Sequence, residues 1–386
     1  MRRISSPLSP AAILVVLAGL AACAKPAEPG DPLPGLTKEQ RDRFERGRVE
    51  FERVFTPETG LGPLFNADSC AECHEDPLAG GTGDEVELHA TLFDTESRFC
   101  DPLVAKGGPV IQQRATPALR EALGIEGEPV PGGAQGRRTT PDVLGFGLLD
   151  AVPESTLLKL ADPDDRDGDG ISGRPNRFLD GRIGRFGRKA FVPTLREFNE
   201  GAFALEQGIT TPGIPVEETI GGGSIPVGVD PVPEPEIGAE AVDLTDIFVR
   251  LSAPPAPRSP SSKAKKGSAI FSSIGCAACH VPALRTGDHP MKALRYRDVR
   301  AYSDLLLHDM GEELADICLG EAGPSEFRTE PLMGLRLSET FLHDGRAKTV
   351  EEAIRLHGGE ASASRVKFEA LREEDRERLL EFLKSL

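Results

Sequence analysis

The chain has 386 residues, 39% of them hydrophobic, and a formal charge of −17. That is enough apolar material for packed cores in two or three domains, and the acidic balance argues against nucleic acid and against a basic membrane-binding face. With no tryptophan, two tyrosines, 42 glycines and 33 prolines, the chain reads as loop-rich and poor in aromatic core.

Residues 1–22 read as a lipoprotein signal peptide. Arg2 and Arg3 form a charged start, Ala11 to Leu20 is an apolar run too short to span a bilayer, and Leu20-Ala21-Ala22-Cys23 matches a lipobox. The bland alternative is an ordinary secretory signal. Cleavage before Cys23 would remove the two arginines, taking the charge from −17 to −19. The expectation is a periplasm-facing lipoprotein held by a lipid anchor, with the outer membrane as its site, since no later apolar run is long enough to span.

Residues 23–38 form a Pro/Gly-rich tether. Thr37-Lys38-Glu39-Gln40 resembles a capping box, and a helix is expected to about Phe55 with Phe44, Val49, Phe51 and Val54 on its buried side. It leads into Cys70-Ala71-Glu72-Cys73-His74. This C-x-x-C-H spacing is the attachment signature of c-type haem: two thiols bond the porphyrin and the adjacent histidine ligates the iron. Residues 75–135 read as Gly-rich and irregular, 139–160 as a loop entering a helix, 193–207 as a helix and 208–240 as a long loop. Residues 253–262 have linker composition. A helix from Lys263 to Ile274 then leads into a second motif, Cys276-Ala277-Ala278-Cys279-His280, and the chain ends in a helix from Glu373 with Leu379, Leu380 and Leu383 inward.

Two complete motifs imply two covalently bound haem c groups. The rival readings are zinc, which needs two converging cysteine pairs, and a redox dithiol, which needs a βαβ context. The expected fold is mainly α, with two cytochrome c-like domains, at 39–252 and 263–386, long irregular loops and a large insertion in the first. Arg138-Thr-Thr-Pro and Arg328-Thr-Glu-Pro, each downstream of a haem motif, support an internal repeat. Once Cys23 and the four motif cysteines are assigned, Cys100 and Cys318 remain. An even remainder in an oxidising compartment favours a disulfide over two buried free thiols.

Asp165, Asp167 and Asp169 with Gly170 have the opening spacing of a calcium loop, although position twelve is Asn176 rather than a bidentate glutamate. The alternative is a solvated acidic turn. Periodicity does not choose a sixth iron ligand among His89, His289, His308, His343, His357 and the methionines.

The C-terminal third resembles bacterial di-haem cytochrome c peroxidases and, more closely, the related di-haem family labelled thiol oxidoreductases or di-haem peroxidases. The matching stretches include Gly275-Cys-Ala-Ala-Cys-His-Val-Pro, Asp304-Leu-Leu-Leu-His-Asp-Met-Gly, Phe341-Leu-His-Asp-Gly-Arg-Ala and His357-Gly-Gly-Glu. In the first half they are Asp167-Gly-Asp-Gly-Ile-Ser-Gly-Arg, Arg185-Phe-Gly-Arg-Lys-Ala and Gln207-Gly-Ile-Thr. The resemblance implies His280 and His357 as the two ligands of the C-terminal iron, His357 standing where the peroxidases carry a methionine and Met310 being the runner-up. His74 would ligate the N-terminal iron. His89 lies near the position of a displaceable distal histidine, and Glu206, among Glu197, Glu200 and Glu206, is the candidate acid. Arg188 departs from the family's usual aromatic. Calcium between the haem domains is similarly implied. The resulting expectation is a peroxidase-like oxidoreductase that takes electrons from a small redox protein to peroxide or another small oxidant. The competing readings are a plain electron-transfer cytochrome and a haem-based sensor.

Overall fold

Two crossed helix pairs frame the molecule, and each is made possible by one glycine. In the first, helix Lys38–Phe51 packs on helix Ala239–Leu251. A Cβ on Gly47 would fall 2.3 Å from the Leu244 carbonyl oxygen. In the second, helix Ser262–Ser273 packs on helix Glu373–Leu383, and a Cβ on Gly267 would fall 1.9 Å from the Arg378 carbonyl oxygen. Any larger residue would hold the backbones apart, because real interiors have no slack for a carbon at those distances. Each pair carries a C-x-x-C-H turn close behind its first helix.

The structure is a computed structural model and describes residues 28–217 and 219–386. The expected signal peptide and Cys23, the expected lipid attachment point, lie outside the described residues. No helix among the described residues is long and apolar enough to cross a membrane.

The capping box at Thr37 is present: its side chain accepts from the Gln40 backbone and Gln40 reaches back. The buried face of that helix needs correction. Phe44, Gly47 and Phe51 point inward, but Val49 and Val54 are 68% and 60% exposed. Positions 44, 47 and 51 are the i, i+3, i+7 stripe that meets the partner helix; Val49 lies on the opposite side. In the last helix Leu379, Phe382 and Leu383 are buried.

The irregular reading of 75–135 is also corrected. Strand Val86–Asp94 pairs antiparallel with Phe99–Asp101, Val110–Ile111 and Ala134–Thr139 to form a four-stranded sheet. The partner strands are mostly two or three residues long, too short to display a period of two. Helices predominate elsewhere. The expected helix over 193–207 is Leu195–Glu206, and residues 139–160 contain the short helices Phe146–Asp150 and Glu154–Leu160.

The largest apolar core gathers Phe44, Phe51, Phe146, Phe186 and Phe248 together with Leu294, Leu305 and Leu306, so it draws on both expected domains. A second core of Phe271, Tyr302, Phe368, Leu379 and Phe382 backs the C-terminal motif. Cys100 and Cys318 are disulfide-bonded, 218 residues apart in sequence, and join the sheet to the C-terminal half.

Candidate haem sites

At the N-terminal motif Ser69 caps the turn, its side chain accepting from the Glu72 N–H at 3.0 Å. One helical turn, Cys70–Cys73, presents both thiols, and the His74 N–H closes it on the Cys70 carbonyl at 3.0 Å. His74 Nδ1 lies 3.1 Å from the Gly81 carbonyl and donates to it, leaving Nε2 to bind metal. Burial holds His74 below its ordinary value, in the neutral form a metal requires. At the C-terminal motif the same construction recurs. The His280 N–H bonds the Cys276 carbonyl at 3.0 Å, and Nδ1 donates to the Tyr302 carbonyl at 2.9 Å. Burial pushes His280 down to about 4.

The thiols are poor candidates for dithiol redox chemistry. Burial pushes Cys70 and Cys276 up to about 12 and raises Cys73 and Cys279 as well. Reactive thiols need the opposite shift.

His357 follows helix Val350–Arg355, with Nδ1 donating to the Ala353 carbonyl at 2.7 Å. Its ring centroid stands 6.5 Å from that of His280. A metal–imidazole bond is about 2.0 Å; two such bonds in line, plus the half-widths of two rings, span about 6 Å. The pair therefore fits one iron between two imidazoles. The cleft here belongs to a cavity of about 460 Å³ lined by Phe271, Cys276, Cys279, His280, His357 and Leu383.

That cavity runs on past Met310, Met333 and His343 to Asp76 and Thr82, just beyond the N-terminal motif. The two repeated Arg-Thr-x-Pro segments line it from both halves. Arg188, at the position where the resemblance expects an aromatic, also lines it. It donates to the Thr139 carbonyl at 3.0 Å and pairs with Glu330 at 2.8 Å, as Arg328 does. Burial alone would raise Glu330; the two guanidiniums reverse this and bring it to about 2.

A carboxyl lies beside the N-terminal motif. Glu206 ends helix Leu195–Glu206, and its carboxyl is held well above the usual range, first by burial and then by the like charge of Glu87. The same carboxylates, Glu206 and Glu87, raise Cys73, which places both beside the attachment turn. His89 lies on strand Val86–Asp94 rather than on a loop, with Nε2 3.1 Å from Glu87 Oε2. The two predicted catalytic groups therefore share one neighbour, Glu87. Gln207 was not singled out in the sequence. It is 2% exposed, its Nε2 donates to Cys70 Sγ at 3.5 Å, and its Oε1 is buried without a partner. An orphaned carbonyl beside the first thiol is what a donor in the site would satisfy.

The carboxylates of Asp165, Asp167 and Asp169 converge within 4.8 Å. Asn176 does not complete the loop: it is fully buried, and its amide donates to the Lys189 and Leu319 carbonyls. Asp165 and Asp169 also accept from the turn's own Gly170 and Ile171 N–H groups.

Two turns of this construction, each with a neutral histidine committed through Nδ1, define a di-haem redox protein. A family model described as "Di-haem oxidoreductase, putative peroxidase" matches residues 82–386. The chain belongs to this di-haem oxidoreductase family, whose cofactors are two haems. The match begins beyond the first motif, so Cys70–His74 stands on its own residues. Solved structures of similar fold include hydrazine synthase of Kuenenia stuttgartiensis (14% identity, 100% of both chains, TM-score 0.43). A MauG-like protein associated with microbial copper homeostasis is 16% identical over 94% of this chain and 93% of that one, with a TM-score of 0.42. A variant of the diheme peroxidase BthA from Burkholderia thailandensis is 14% identical over 94% and 89%, with a TM-score of 0.41. No curated protein matches.

Proposed function

We propose that this chain is a peroxidase-type enzyme, with electrons entering at the C-terminal site from a small redox protein and used at the N-terminal site on peroxide or another small oxidant. The observation that carries this reading is the difference between the two sites. The C-terminal site is closed by a second imidazole 6.5 Å from the first, whereas the N-terminal turn has beside it Glu206, a carboxyl held well above its usual range.

Haem, which Cys70 and Cys73 and Cys276 and Cys279 would bind covalently, would supply the one-electron redox chemistry. His74 and His280 would hold the two irons, with His357 as a second ligand at the C-terminal one. Burial holds the Glu206 carboxyl well above its usual range, which suits it to deliver a proton to a leaving oxygen and recover it. The Gln207 carbonyl offers an acceptor that orients a bound O–H group. Glu87 bonds His89 and lies within the field of Glu206, linking the acid to a group able to resupply protons.

Electronic spectra of the ferric and half-reduced protein test this reading. A high-spin component that binds cyanide and reacts with peroxide is expected. Two low-spin haems inert to peroxide at every redox level would overturn it.

A lipid anchor at Cys23 and a periplasm-facing position at the outer membrane belong to the same proposal. The lipobox and the Cys100–Cys318 disulfide support them, since disulfides persist in oxidising compartments. Calcium at Asp165, Asp167 and Asp169 is proposed as a weak site, given that Asn176 is turned inward.

A further inference from the structure

His308 lies 4% exposed on strand Leu307–Asp309, whose pairing with Glu326–Arg328 fixes its backbone. Both of its ring nitrogens face carboxylates: Nε2 is 2.9 Å from Asp304 Oδ2 and Nδ1 is 2.8 Å from Glu360 Oε2. The same Nδ1 is 3.6 Å from Cys279 Sγ. A Cβ on Gly173 would fall 2.8 Å from His308 Cε1, so the imidazole lies flush against a backbone that only glycine permits.

Donor accounting settles the charge. A neutral imidazole donates from one nitrogen, so two facing carboxylates require either an imidazolium or a protonated acid. Glu360 already accepts from the Ser172 N–H at 3.0 Å, the Ser172 hydroxyl at 2.7 Å and the Asp309 N–H at 3.3 Å. Asp304 accepts from the Leu306 N–H at 2.9 Å. Such donors favour ionised carboxylates. The proton therefore belongs to His308, and the triad carries a net charge of −1. Burial alone would lower His308, and its bonds to Asp304 and Glu360 raise it instead. With both nitrogens committed, His308 is excluded as an iron ligand.

We propose that the Asp304–His308–Glu360 triad sets the reduction potential of the C-terminal haem by holding a fixed charge against the Cys279 sulfur. This rests on the assignment of Cys279 as a haem attachment point. Nothing in the resemblance or in the ligand set assigns the triad this role. Its position matters because Glu360 follows His357 by three residues and Cys279 precedes His280. The same three side chains thus border both ligand-bearing segments.

The test is a charge cycle on the full chain carrying both haems, read by optical redox titration at mildly alkaline pH, with covalent haem content measured for each variant. Glu360→Gln takes the triad from −1 to 0 and should raise the C-terminal potential. His308→Gln takes it to −2 and should lower it. The double variant returns the charge to −1 and should return the potential toward wild type. Each single step should change the ferric-to-ferrous ratio about tenfold at a fixed potential, as one charge about 12 Å away does at an effective dielectric of about 20; for one electron this is about 59 mV. The N-terminal haem should move far less. Single variants that stay within twofold of wild type, or that move in the same direction with no recovery in the double variant, would overturn the proposal. If His308→Gln fails to retain its haem, Glu360→Gln alone decides: a rise supports the proposal, and no shift or a fall overturns it. A wild-type protein lacking a low-spin C-terminal haem would instead refute the underlying site assignment before any variant is made.

Discussion

His280 and His357 face each other across 6.5 Å, each with its Nδ1 tied to a main-chain carbonyl, Tyr302 in one case and Ala353 in the other. Both hydrogen bonds select the tautomer that leaves Nε2 unprotonated and aimed into the cleft. The helix Val350–Arg355 places His357 there, and its own capping box at Thr349 and Glu352 fixes where that helix starts.

Replacing His357 with methionine should therefore raise the potential of one haem and leave the other in place. A thioether favours the ferrous state relative to an imidazole, and axial ligands command a span of about 0.8 V. A redox titration should show one midpoint rising by about 100 mV or more. An unchanged pair of midpoints would remove His357 from the ligand set.

Glu206→Gln should lower peroxide turnover by about a hundredfold or more, the usual contribution of a general acid, with the ferric spectrum little altered. The sign of the stability effect is also set. Glu206 has a folded value above its unfolded one, so it is protonated in the folded state where the unfolded chain is ionised. Its favourable contribution is full below the unfolded value, about 4.3, and is lost as pH rises toward the folded value. The variant should lose that slope in denaturation curves taken at rising pH from about 4.3 upward.

Asp316→Asn should destabilise the fold by about 3–5 kcal/mol, because it strands the buried Arg138 without its counter-charge. Arg138 and Asp316 are each 7% exposed and form a bidentate pair, and His343 and Lys189 approach the same carboxylate at 3.2 and 3.6 Å. Burial would raise Asp316, but His343 and Arg138 reverse it and hold it below its ordinary value. Its stabilisation is therefore present above the unfolded value and lost as pH falls through the folded one. Chemical denaturation of wild type and variant at neutral and acid pH checks both points.

Calcium at a hundredfold excess over its dissociation constant should add about 2.7 kcal/mol to the unfolding free energy. Asp167→Asn should abolish the gain and a chelator should reverse it. Thermal unfolding with and without calcium reads this directly, and an identical transition under both conditions would leave the three aspartates as a solvated turn.

Much of the site was legible in the sequence because its chemistry is local. The C-x-x-C-H spacing holds two thiols and an imidazole within one turn, and both turns take the same form wherever the chain puts them. The candidates Glu206 and His89 came from the resemblance and do lie around one neighbour, yet Glu87 carried no signal of its own and Gln207 none beyond its place in the matching stretch Gln207-Gly-Ile-Thr. A glutamate and a glutamine in polar surroundings read as surface residues until burial is known. The sheet over 86–139 was missed because its strands are too short to show a period, and Val49 was misplaced because a helix face is chosen by its partner helix.

By itself, then, the sequence determined two C-x-x-C-H turns and the cysteines left to pair as Cys100–Cys318, while the resemblance supplied His357 as the imidazole that could meet His280. Only the tertiary structure decided that the Glu206 carboxyl is held above its usual range, that Asn176 turns inward from the acidic loop, and that Asp304, His308 and Glu360 close on Cys279. The physical reason is range. Covalent spacing acts within a turn, whereas desolvation and ion pairing depend on groups tens to hundreds of residues apart being packed into one low-dielectric place.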